Sequence, residues 1–127
     1  MGAIYSLIIA VFIGLSLDSE VPHTAIEEAF ESGNAKAITT MSKEKVLINV
    51  LGKEDVYSKA QAALVLESFF STNPCYEFMF FFKGKEMANG TFAIGTYKTK
   101  SNEYRVTVHL KRVGDGFKIE SLVIEKP

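Results

Sequence analysis

Apolar positions in VPHTAIEEAFESG recur at helical spacing, with Ile26, Ala29 and Phe30 on one face. Thr24 followed by Glu27 reads as a capping box, in which each side chain satisfies a backbone N–H that the first turn leaves unpaired. Gly33 suits the left-handed position that ends a helix, and Asn34 can cap a second short one running through Met41, with Ala37, Ile38 and Met41 apolar. KVLINVL then has the β-branched and aliphatic content of a strand, ended by a turn at Gly52–Lys53. YSKAQAALVLESFFSTNP gives the clearest helix. Ser58 and Gln61 form a capping box, Ala62, Ala63, Leu66, Phe69 and Phe70 make a broad apolar face, and Pro74 stops it.

Beyond Pro74 the pattern is that of strands. Asn89–Gly90, Ser101–Asn102 and Asp115–Gly116 are hairpin signals that divide the remainder into four strands of an antiparallel meander. Helices grouped before such a sheet predict an α+β domain with the helices packed on a curved antiparallel sheet. There is no repeat, low-complexity tract or internal domain boundary.

The turns also predict register. A two-residue turn at Asn89–Gly90 sets Ala88 against Thr91, Phe82 against Tyr97 and Gly84 against Gly95. The inner face then holds Phe78, Phe80, Phe82, Ala93 and Tyr97, and an even-length second turn adds Tyr104, Val106, Val108 and Leu110. In the last strand Phe117 and Ile119 are out of phase with Leu122 and Ile124, and a bulge near Glu120–Ser121 would bring both pairs inside. CYEFMFFFK is unusual because its outer face is apolar too. Met79, Phe81, Phe92 and Ile94 form an outer patch, with Lys98, Arg105 and Lys111 around it. No helix remains to cover that patch, so a homodimer through these four residues is expected.

The N-terminal run from Leu7 to Leu15 is uncharged but too short to span a bilayer. It fits the apolar part of a secretory signal at residues 1–16, with Gly14 and Ser16 as small residues before the cleavage point. Its length favours cleavage over retention as an anchor, although no Lys or Arg stands near Met1. The expectation is an exported protein, periplasmic or extracellular, whose residues 17–127 form one domain with no membrane contact after cleavage. A net charge of −1 without a basic run gives no reason to expect a nucleic-acid partner. The single cysteine, Cys75, excludes an internal disulfide and reads as a structural thiol. His23 and His109 are distant in sequence and lack carboxylates at ligand spacing, so no metal or cofactor is expected.

The element order, GKEDVYSKAQAALVLESFF before the sheet and the closing GFKIESLVIE resemble the nuclear-transport-factor-2-like superfamily of cone-shaped, cystatin-like domains. More narrowly, EEAFESGNAKAI, VYSKAQA, FAIGTY and YRV resemble a small exported family of unknown function from Bacteroidetes. The superfamily resemblance implies that a small hydrophobic ligand would sit between helices and inner sheet, among Phe69, Phe80, Phe82, Glu86, Gly95, Tyr97 and Tyr104. Glu86 is the one ionisable group that the predicted register puts on that face, at its rim, and no catalytic residue is assigned. A non-catalytic binding or assembly module is therefore expected. The alternative is a small-molecule enzyme or hydrophobic-ligand carrier using the inner pocket.

Overall fold

Helix α1 (His23–Glu31) buries Ile26, Ala29 and Phe30, the face its spacing predicts, in a computed structural model that describes residues 21–127. The Thr24–Glu27 capping box does not form; Pro22 is the N-cap residue and no side chain caps the first turn. Glu27 is engaged elsewhere. Its carboxylate accepts the N–H of Phe80 at 2.9 Å, and Glu31, one turn on, accepts that of Phe78 at 3.3 Å. Gly33 takes the left-handed φ of 63° that ends α1. Asn34 Oδ1 then accepts the N–H of Ala37 at 3.0 Å to start α2 (Ala35–Thr40).

Strand β1 (Ser42–Val50) is followed by an element that the sequence pattern does not show, β2 (Lys53–Ser58). The two are joined by Leu51 and Gly52, both at positive φ, and pair from Val50↔Lys53 to Lys45↔Ser58. KEDVYS buries no residue fully, so it has no apolar alternation to reveal it. Ser58 ends β2 and caps α3 (Lys59–Thr72) with the expected reciprocal bonds, Gln61 N–H to Ser58 Oγ at 3.3 Å and Ser58 N–H to Gln61 Oε1 at 3.4 Å. Ala62, Leu66, Phe69 and Phe70 of α3 are buried.

The chain closes with β3 (Glu77–Lys83), β4 (Gly90–Lys98), β5 (Glu103–Val113) and β6 (Gly116–Glu125). The strand order is β2-β1-β6-β5-β4-β3, antiparallel except where β6 lies parallel to β1. Tyr104, Val106, Val108 and Leu110 are buried as predicted. The β5–β6 turn is Gly114–Asp115, one residue earlier than expected, with Gly114 at φ 61°. The predicted bulge is present. His109 pairs with Ser121 and Leu110 with Ile119, which leaves Glu120 over and buries Phe117, Ile119, Leu122 and Ile124 together.

The first hairpin of this meander departs from the predicted register. Residues 84–89 connect β3 to β4, and the pairs are Phe78↔Tyr97 and Phe80↔Gly95. Asn89 and Gly90 do not make the expected tight turn, because Asn89's carbonyl accepts the N–H of Arg112 and Gly90's accepts that of Met87. Gly84 meets Phe92 and not Gly95, donating its N–H to the Phe92 carbonyl at 2.8 Å. Phe81 is an extra residue, after which Phe82 pairs with Ile94. A bulge of this kind reverses the facing of the residues beyond it.

Candidate functional site

The inner face of the sheet is closed by aromatic residues from helices and strands alike. Phe69 of α3 lies 5.4 Å, ring to ring, from both Tyr97 and Tyr104, and Phe30 of α1 stacks on Phe78 at 4.6 Å. Gly95 leaves space beneath this cluster, and Phe78 takes it: a Cβ at Gly95 would sit 2.6 Å from Phe78 Cζ. Tyr97 donates its hydroxyl to the Asn73 carbonyl, and Tyr104 donates to Asn73 Oδ1 at 3.0 Å. Burial pushes the Tyr97 phenol well above its ordinary value. Both hydroxyls are thus committed to the residue that ends α3, where they hold the helix against the sheet.

Of the residues predicted to line a pocket, Phe69, Phe80, Gly95, Tyr97 and Tyr104 therefore come together. Phe82 and Glu86 do not. The bulge at Phe81 turns Phe82 outward, where its ring lies 5.4 Å from Phe92. Glu86 is exposed in the 84–89 connection, beyond the end of β3.

The outer face carries what the inner face does not need. Met79 is 55% exposed, Phe81 62%, Phe82 46% and Phe92 36%, while Ile94 is half-buried. Cross-strand pairing extends this patch into a row through Phe92, His109, Ser121, Leu47 and Val56, which reaches from β4 to β2. The His109 ring stacks on Phe92 at 5.7 Å, and its Nδ1 is 3.2 Å from Ser121 Oγ. Met79, Phe81, Phe92 and Ile94 were legible from alternation alone. Phe82 needed the bulge, and Leu47 and Val56 needed the pairing of β1 with β2 and β6.

Side chains also occupy N–H groups along both edges of the sheet. At β3 the acceptors are Glu27 and Glu31. At β2, Asp55 Oδ1 accepts the N–H of Val56 at 2.8 Å, and Gln61 accepts that of Ser58. Open edges invite pairing with other chains, and acceptors placed on them oppose it.

No cluster able to hold a metal ion occurs among the described residues. Burial, with the Glu31 carboxylate nearby, pushes the Cys75 thiol up to about 11, which disfavours the reactive thiolate. A cleft of about 330 Å³ lies between Pro74–Tyr76 and the β4–β5 turn, and a groove of about 520 Å³ runs between α3 and the β1–β2 hairpin, lined by Val50, Tyr57, Leu64, Val65 and Phe69. No helix among the described residues is long and apolar enough to cross a membrane. The predicted signal at 1–16 lies outside the described residues.

Comparison with known proteins agrees with this architecture. The chain is 27% identical to a DUF4783 family protein from Bacteroides ovatus over 86% of this chain and 97% of that one, with a TM-score of 0.79. A DUF4783 family protein from Bacteroides uniformis is 25% identical over 84% and 97% of the two chains, with a TM-score of 0.77. A ketosteroid isomerase-like protein from Erwinia carotovora atroseptica, 17% identical over 81% and 88%, shares the fold with a TM-score of 0.66. No curated protein matches. The expected nuclear-transport-factor-2-like, cystatin-like α+β fold is thus the observed one. With residues 23–125 matched, the chain belongs to the DUF4783 family, a domain of unknown function.

Proposed function

We propose that the protein is an exported, non-catalytic association module that pairs with a second copy of itself through the outer face of its sheet. The observation that carries this reading is the exposed row of Met79, Phe81, Phe82 and Phe92 on that face. Burying each such side chain is worth roughly 1.5–3 kcal/mol, so a contact that covers the row from both copies has ample driving force. Acceptors along both edges leave the face as the surface open to a partner. A two-fold contact would bury the same patch twice and place Lys98, Arg105 and Lys111 at its rim. The committed tyrosine hydroxyls support a non-catalytic role, and export rests on the apolar run at Leu7–Leu15.

Sedimentation velocity at micromolar concentration tests the pairing. The wild type should sediment as a dimer and Phe81→Glu as a folded monomer; a monomeric wild type overturns the reading. A second reading, a carrier of a small hydrophobic ligand, draws on the groove between α3 and the β1–β2 hairpin. Mass spectrometry of protein purified from its native source would show a retained apolar molecule if that reading holds.

A further inference from the structure

We infer that His23 is a proton-operated latch at the start of α1: when its ring takes a proton from solvent, the first turn of the helix lifts from β3 and Glu27 releases the Phe80 N–H. The Nε2 of His23 is buried without a hydrogen-bond partner, and its ring meets the Phe80 ring edge-on at 5.8 Å. Glu27, one helical turn further on, accepts the Phe80 N–H at 2.9 Å. Ring and carboxylate thus grip the same residue of β3, the last strand of the sheet on its side. Glu31, a further turn along α1, accepts the Phe78 N–H at 3.3 Å.

This site suits the neutral ring and not the charged one. In an imidazolium both ring nitrogens carry protons, so Nε2 becomes a buried cationic donor, which costs far more than an unpaired neutral nitrogen. His23 is also the first residue of α1, where the helix dipole opposes positive charge. The charged groups near the ring come from three elements. Lys83 of β3 repels the cation, whereas Glu86 of the 84–89 connection and Glu27 of α1 attract it. Burial and Lys83 outweigh the two carboxylates, so the ring holds a proton less readily here than in water. Proton binding therefore favours arrangements in which the ring has left this place. Its exit takes the first turn of α1 with it. Glu27, attracted to the imidazolium four residues before it, is drawn off the strand. Glu31 lies two turns from the charge and keeps its hold on Phe78. The latch works within one chain and does not depend on pairing through the outer face.

The test is amide exchange followed by NMR on the full chain between pH 7 and pH 5, with each rate divided by the intrinsic rate at that pH. Protection at Phe80 should fall by up to about tenfold as the pH drops, the scale of one lost hydrogen bond, while protection at Phe78 holds. The midpoint should match that of the His23 ring signals and lie below 6.5. His23→Gln, which takes up no proton in this range, should keep Phe80 protected throughout. If that variant does not fold, His23→Phe keeps a ring against Phe80 and permits the same comparison. Constant protection at Phe80 in the wild type would mean that Glu86 answers the charge in place, and it overturns the inference. So does a response that survives substitution of His23, one that follows the His109 ring instead, or one shared equally by Phe78.

Discussion

At the scale of single residues, the core is governed by what each side chain displaces. Gly95 is required because Phe78 occupies the volume where its Cβ would stand, 2.6 Å from Cζ and 3.0 Å from the Met79 carbonyl. Phe78 cannot retreat, since it stacks on Phe30 and meets Phe80 edge-on. Gly95→Ala should therefore cost about 1–3 kcal/mol, as over-packing does elsewhere, measured by denaturant melts. His23 is a different case. Its Nε2 is buried without a hydrogen-bond partner, and its ring meets Phe80 edge-on. Burial, aided by Lys83 and opposed by Glu86 and Glu27, holds its pKa below the ordinary 6.5. The unfolded chain then binds a proton more readily than the folded one. This contribution to stability is full above pH 6.5 and declines as pH falls below it. Melts between pH 7 and pH 5 should show a decline that is shallower in His23→Phe; an equal slope would mean that His23 is not its source.

At the scale of elements, legibility followed burial. Helices α1 and α3 could be read because each shows an apolar stripe, and the Ser58–Gln61 cap because its residue types admit that reciprocal bonding. The Thr24–Glu27 box has the same spelling, yet Glu27 forms a tertiary bond to Phe80 that no local pattern announces. β2 was missed because a strand at a sheet edge that buries no residue fully shows no alternation. The outer patch was read correctly in kind. Its extent was not, because the bulge at Phe81 depends on the length of the 84–89 connection, which the Asn–Gly signal concealed. The pocket was expected from resemblance, and Phe82 and Glu86 left it for the same reason. The β1–β2 turn offers a direct test of local chemistry. Leu51 sits at φ 53°, a region unfavourable for a residue with a Cβ, beside Gly52 at φ 93°. Tight hairpins favour Asn–Gly at such a pair. Leu51→Asn should raise stability by about 0.5–1 kcal/mol, part of the left-handed penalty of a branched or bulky residue, and thermal melts should show it.

At the scale of the whole molecule, one sheet has two faces, and the helices among the described residues pack on one of them. Phe78, Phe80, Tyr97 and Tyr104 face the helices and are buried, while the neighbours that alternate with them on β3 and β4 are left to solvent. Folding and the proposed pairing would therefore rest on different residues of the same strand, and they should respond separately to substitution. Phe80→Glu places a charge in the core and should unfold the chain, whereas Phe81→Glu should leave the fold intact and abolish pairing. Linkage gives a second signature. A dimer that holds the folded state gains about 1.4 kcal/mol for each tenfold rise in protein concentration, so its melting temperature climbs with concentration. Calorimetry over a hundredfold range of concentration should show that climb for the wild type and a constant melting temperature for Phe81→Glu. A constant value for both proteins would mean that the outer row stays exposed in solution, and the face would then have to be assigned to a different partner.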